Sequence, residues 1–203
     1  MRSFSAIPVL AAVCAAALCG CGSPARRIDP TTQGVTTLGD VNTRDWNDVS
    51  ARAVNSLVAS GALVRPDGRK SIVMINEIKN NSGAYAKTQI LTNKMRQALL
   101  ASGKAVTTTA VGGHGPEDNA TRQIRELEND DLFNQATVQK RGTVIAPDLS
   151  ISGEIINQGT RSGRTVENTF YFHVVVTDLH TGLAVWEDNF EISKQETLNI
   201  FGY

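Results

Sequence analysis

The chain has 203 residues, with 20 basic and 20 acidic side chains, three histidines, three cysteines and only 5% aromatics. Zero formal charge excludes binding to nucleic acid by bulk electrostatics, and the cysteines, Cys14, Cys19 and Cys21, leave residues 22–203 without a disulfide or thiolate metal site of their own. A chain of this size suits one domain, with a core that must be largely aliphatic.

At the amino terminus Arg2 precedes an apolar run from Ala6 to Leu18. That run is shorter than the roughly twenty residues a membrane-spanning helix needs and has the charge and length of a secretory signal peptide, residues 1–20. Its end, "ALCGC" at 17–21, resembles a bacterial lipobox, with Leu18 three places before Cys21 and Gly20 directly before it. The resemblance implies lipidation of Cys21, which would become the first mature residue and carry three acyl chains. At about 0.8 kcal/mol per buried methylene, one chain anchors marginally and three hold durably. By the same resemblance Gly22, where an aspartate would retain the protein in the inner membrane, implies an outer-membrane anchor facing the periplasm.

Residues 22–44 are rich in Gly, Thr, Pro and Ser without apolar periodicity, and with Cys21 they read as a lipidated flexible tether, about 75 Å long when stretched. From Asp45 a helical stripe begins, with Trp46, Val49, Ala53, Val54, Leu57 and Val58 on one face and Gly61 as its stop. "SIVMI" at 71–75 predicts a strand buried on both faces. After "NNSG" a second amphipathic helix is predicted, burying Ile90, Leu91, Met95, Ala98 and Leu99 and stopping at Gly103. "KAVTTT" predicts a short edge strand and "VGGHGPEDN" a loop, and residues 119–140 predict one or two helices.

The last third predicts a three-strand antiparallel meander: "LSISGEI", "FYFHVVV" and "LAVWEDNFEI". "QGTRSGRT" forms a turn or extended hairpin loop between the first two, and "DLHTG" turns between the last two. The middle strand is apolar on both faces, which predicts a central position with cover on both sides. The fold class is therefore α/β, a single-domain sandwich whose mixed sheet ends in the meander, with helices packed on the sheet. The domain spans 45–194, and 195–203 form a carboxyl-terminal tail.

Catalytic patterns fail on residue type. His114, His173 and His180 are scattered and no HExxH occurs, so no metal site is predicted. "SGK" at 102–104 lacks the first glycine and the hydroxyl of a phosphate loop, and "ENDD" at 128–131 lacks the glycine turn and distal glutamate of a calcium loop. No GxSxG elbow or activated cysteine appears. The chain reads as a non-enzyme, with no cofactor and no small-molecule substrate. "NDVSARAVNSLVASG" faintly resembles the peptidoglycan-binding helix of OmpA-like domains, but Ser50 and Arg52 stand one residue too close and that family's acidic loop is missing.

Five segments resemble the LpoB family of outer-membrane lipoproteins: "DWNDVSARAVNSLV" at 45–58, "SIVMINEIKNNSG" at 71–83, "KTQILTNKMRQALLASGK" at 87–104, "LSISGEI" at 149–155 and "VVVTDLHTGLAVWEDNFEISK" at 174–194. Their residue chemistry is that of a scaffold, with Gly182 in the last turn, Trp186 in the core and Gly103 at a helix end. The resemblance implies a partner, the noncatalytic periplasmic domain of a class A penicillin-binding protein, whose murein polymerisation and crosslinking the domain would stimulate. Candidate contacts are Arg161 and Arg164 near the hairpin and Tyr85 beside "NNSG". The tether is shorter than in the best-known members, and "RGTVIAPDLSISG" replaces the family's usual approach to its strand. Two other readings share parts of this plan: an envelope-assembly lipoprotein related to the curli-export channel family, which would need barrel hairpins this chain lacks, and a flagellar-associated lipoprotein.

Overall fold

The computed structural model describes residues 25–112 and 117–199. Helix α1 (Thr43–Ser60) starts where the sequence supplies a capping box. Asn42 Oδ1 accepts from the backbone N–H groups of Arg44 and Asp45 at 2.9 and 3.1 Å, and Asp45 Oδ2 accepts from Asn42 N–H at 2.9 Å. It ends at Gly61, whose φ of 80° needs a residue without a β-carbon. Strand β1 (Ser71–Asn80), helix α2 (Thr88–Ser102) and the short strand β2 (Ala105–Thr107) follow as a βαβ unit. A long excursion carrying helix α3 (Ala120–Glu126) leads to three strands of 14 residues each, β3 (Leu149–Ser162), β4 (Thr165–Asp178) and β5 (Ala184–Thr197).

The sheet order is β2-β1-β3-β4-β5. β1 runs parallel to β2 and β3, and the last three strands form the expected antiparallel meander. α1 and α2 pack together on one face of this mixed sheet. Between them lies one aliphatic and aromatic core: Val49, Ala53 and Leu57 from α1, Leu91, Met95 and Leu99 from α2, and Val73, Ile75, Ile151, Ile155 and the even-numbered residues Phe170 to Val176 from the sheet. Trp46 meets the edge of Phe172 with ring centres 5.8 Å apart at 78°, a favourable aromatic geometry.

The second face of the sheet departs from expectation. Cover on both sides of the middle strand was expected, yet Tyr171, His173 and Val175 remain half-exposed, and Ile72 and Met74 on β1 likewise. Handedness gives the reason. A right-handed β1–α2–β2 connection, the usual hand, puts α2 on one face and the return from β2 to β3 on the other. The burial of Ser150 on that face accords with such a crossing. With α1 and α2 both on the first face, the second keeps only partial cover. Val and Tyr favour strands on half-buried faces too, so their presence on both sides did not require two layers of cover.

Three local expectations also change. Only residues 120–126 of the 119–140 stretch are helical. Beyond them Asn129 takes φ 73°, Asp130 and Asn134 side chains accept from the N–H groups two residues on, and Gln135 Nε2 donates to the carbonyls of Leu127, Asp130 and Phe133. These side chains compete with helical hydrogen bonding and win. Ile90, expected inside, is 41% exposed.

The "QGTRSGRT" segment is ladder rather than loop. β3 and β4 pair without a break to Ser162 and Thr165 around a two-residue turn, with Gly163 at φ 59°, the positive value such a turn needs at its first central position.

The end of the expected tether is held by the fold. Asn168 Nδ2 donates to Leu38 O at 3.1 Å, Lys194 Nζ donates to Asp40 O, and Arg44 Nε donates to Thr31 O at 2.9 Å.

Candidate functional site

Past the end of β1, where Asn80 pairs with Ile155, β3 continues seven residues to Ser162 beside β4 and β5. At about 3.3 Å per residue this makes a three-strand blade projecting roughly 23 Å beyond β1. One side of the blade carries the incoming residues 38–42. There Lys194 is 7% exposed, and its Nζ lies 2.6 Å from Asp45 Oδ2 and 5.7 Å from the centre of the Phe170 ring. This ion pair joins the start of α1 to the edge strand. Its geometry is that of a structural pin: Asp45 also caps α1, and Lys194 also holds the Asp40 carbonyl.

Arg161 and Arg164 sit at the tip of the blade, both exposed. Arg161 Nε donates to Gly163 O at 3.0 Å, and Arg164 O accepts from Leu198 N–H at 2.9 Å. Tyr85 is 81% exposed in the loop after β1. That loop is fixed by Asn80, whose Nδ2 donates to Ala84 O and whose Oδ1 accepts from Ser82 N–H and Oγ. Tyr85 therefore lies by the blade's root while the arginines lie at its tip, so the structure does not bring the three candidates into one cluster. Cys21 and His114 fall outside the described residues.

The uncovered face of the sheet has a hollow of about 460 Å³ lined by Asn76, Glu77, Lys79, Ser152, Gly153, Glu154 and His173. A bulge makes it: Ile75 pairs with Ile151 and Ile78 with Gly153, so two residues of β1 oppose the single Ser152. β3 must then pass very close to β4. A β-carbon on Gly153 would stand 2.1 Å from His173 O, so only glycine fits. This requirement was not visible in "LSISGEI", where Gly153 reads as a small residue between apolar ones.

A second hollow, about 490 Å³, lies at the opposite end of the sheet and is lined by Val64, Arg65, Asp148, Asp178 and His180 among others. Its charged groups are engaged in holding loops. Arg65 pairs with Asp67 and Asp148, Asp148 Oδ2 accepts from Ile72 N–H at 2.9 Å, and Asp178 Oδ1 accepts from His180 and Thr181 N–H. Hydrogen bonds from Arg65, then from Arg69, hold the Asp67 carboxyl below the usual carboxylate range, and Asp67 and Asp148 in turn raise the Arg65 guanidinium. Burial lowers Arg96, whose Nη1 donates to Thr108 O at 3.0 Å. Among the described residues no group of three or more His, Cys, Asp or Glu is placed to hold a metal ion, and no helix is long and apolar enough to cross a membrane.

In the helix with a faint OmpA-like pattern both pattern residues are engaged within the fold. Ser50 is buried with its hydroxyl on Asn47 O, and Arg52 pairs with Asp48 and lies over Phe190.

The family model described as "Peptidoglycan-synthase activator LpoB" matches residues 45–192, from the start of α1 into β5. The chain belongs to the LpoB family. Its relatives are thus synthase activators rather than catalysts. Structural superposition finds the LpoB C-terminal domain from Escherichia coli at 12% identity, covering 74% of this chain and 99% of that one with a TM-score of 0.39. The LpoB C-terminal domain from Salmonella enterica gives 11%, 73%, 98% and 0.40, and lipoprotein GNA1162 from Neisseria meningitidis 11%, 62%, 83% and 0.35. Membership of the LpoB family rests on the sequence match and not on these superpositions. No curated protein matches the chain in sequence.

Proposed function

We propose that this protein is an outer-membrane lipoprotein that binds the noncatalytic periplasmic domain of a class A penicillin-binding protein and stimulates its polymerisation and crosslinking of peptidoglycan. The observation that carries this reading is the family match over 45–192, which reaches every described strand and helix of the domain. The physical requirement is modest: a rigid module that binds the active conformation of the synthase more tightly than the inactive one shifts the population towards activity. The single core, the long ladders and the pinned blade supply that rigidity, with Arg161, Arg164 and Tyr85 as candidate contacts. Arg44 holds the Thr31 carbonyl, and about ten residues of chain between Cys21 and that point could span at most roughly 35 Å.

Two measurements test the reading separately. The purified synthase from the same cell should polymerise lipid II several-fold faster when the full chain is added, and an unchanged rate would overturn activation. Cys21→Ser should move the protein from the membrane pellet to the soluble periplasmic fraction, and retention in the pellet would overturn the anchor.

A further inference from the structure

The chain is neutral overall, but its charge is unevenly placed. Odd-numbered residues of β4 and β5 and even-numbered residues of β3 share the uncovered face, as the register shows by pairing Glu154 with His173 and Tyr171 with Glu191. Among the described strand residues that face carries the carboxylates Glu154, Glu167, Glu187 and Glu191 and the ammonium Lys79, which pairs in register with Glu154; Glu154 also accepts from Asn81 Nδ2 at 2.8 Å. Between the carboxylates runs the half-exposed stripe Tyr171, His173 and Val175, beside Ile156 at 44% exposure.

An apolar centre with a charged rim is the anatomy of a protein interface. Glu187 and Glu191 are exposed, and among the described residues their carboxylates have no hydrogen-bond or ion-pair partner. Strand addition at the edge of β5 is less favoured, because Arg52 already donates to Glu191 O. A second copy of this chain would set carboxylates against carboxylates.

We infer that the uncovered face of β3, β4 and β5 docks a cationic segment of a partner protein, whose lysine or arginine side chains meet Glu187 and Glu191 of the edge strand. Taking that partner to be the synthase rests on the function proposed above. Complementary charge at such a rim governs the rate and salt dependence of association as well as its strength.

The test uses the full chain in detergent micelles and the purified synthase of the same cell as probe. The double variant Glu187→Lys/Glu191→Lys should weaken binding more than tenfold and flatten its dependence on sodium chloride. Asn93→Lys/Gln97→Lys, on the exposed side of α2, should change it less than twofold. Binding of the first variant at wild-type strength or tighter would overturn the inference. If the unaltered chain bound no synthase, the proposed function would fail, and the face is then tested independently by photocrosslinking in cells from position 189. There the expected result is one discrete adduct whose crosslinked peptide contains lysine or arginine. No adduct, an adduct to a second copy of this chain, or a contact peptide without basic residues would overturn the docking face.

Discussion

Lys194→Ala is expected to cost about 3–5 kcal/mol of folding stability, the range for removing one partner of a buried ion pair. Both side chains are nearly enclosed, at 7% and 10% exposure. Removing the ammonium therefore leaves Asp45 charged in a site that water hardly reaches. One donor, the Asn42 N–H at 2.9 Å, stays on the carboxylate and keeps the cost within that range. Loss of the Asp40 carbonyl's partner and of the contact with the Phe170 ring adds to it. Against a total stability of roughly 5–15 kcal/mol for a domain, this is a large share of the margin.

The cost of breaking the pair is not its net worth, because both charges lost hydration when buried. Asp45→Asn/Lys194→Met should consequently be much closer to wild type than Lys194→Ala. Urea unfolding of the full chain and the two variants measures the difference. If Lys194→Ala unfolded at the wild-type midpoint, the pin would have no energetic role.

The second large effect is expected at Gly153. Gly153→Ala places a methyl group 2.1 Å from the His173 carbonyl oxygen and 3.2 Å from Val174 Cα. Both are backbone atoms in the middle of a paired strand, so relief requires β3 and β4 to separate. A destabilisation of about 3 kcal/mol is expected, the upper range for overpacking. Gly159→Ala on the same strand is the control, because a β-carbon there meets nothing within 4 Å. Its effect should stay within about 0.5 kcal/mol. Equal midpoints for the two variants in urea unfolding would mean that the close passage of β3 and β4 is not required.

The difference between these two glycines shows how far the sequence could be read. Apolar period and glycine stops located α1, α2 and the three meander strands because each buries one face against the other layer. The same signal stopped at Ile155, where the helix layer ends, although the ladder continues through Asn157 to Ser162. Strands that leave the core have no need to alternate, and their polar residues look like loop. The bulge beside Gly153 was hidden because it depends on the register between β1 and β3. Asp40 and Lys194, 154 positions apart, meet only once the sheet is assembled.

The candidate contacts Arg161, Arg164 and Tyr85 stand beside turns in the sequence, and the structure leaves all three exposed. The carboxylates of the open face form no pattern in the sequence because they are spread over three strands. Only the pairing register puts Glu154, Glu187 and Glu191 on one side.

The way the amino-terminal segment enters the fold also determines how tension would travel through it. A pull on that segment passes at Thr31 to the Arg44 side chain at the start of α1, and at the carbonyls of Leu38 and Asp40 to Asn168 and Lys194 in the paired strands β4 and β5. The load is thereby shared across a row of backbone hydrogen bonds sheared together, whereas traction applied directly at Thr43 would unwind α1 one turn at a time.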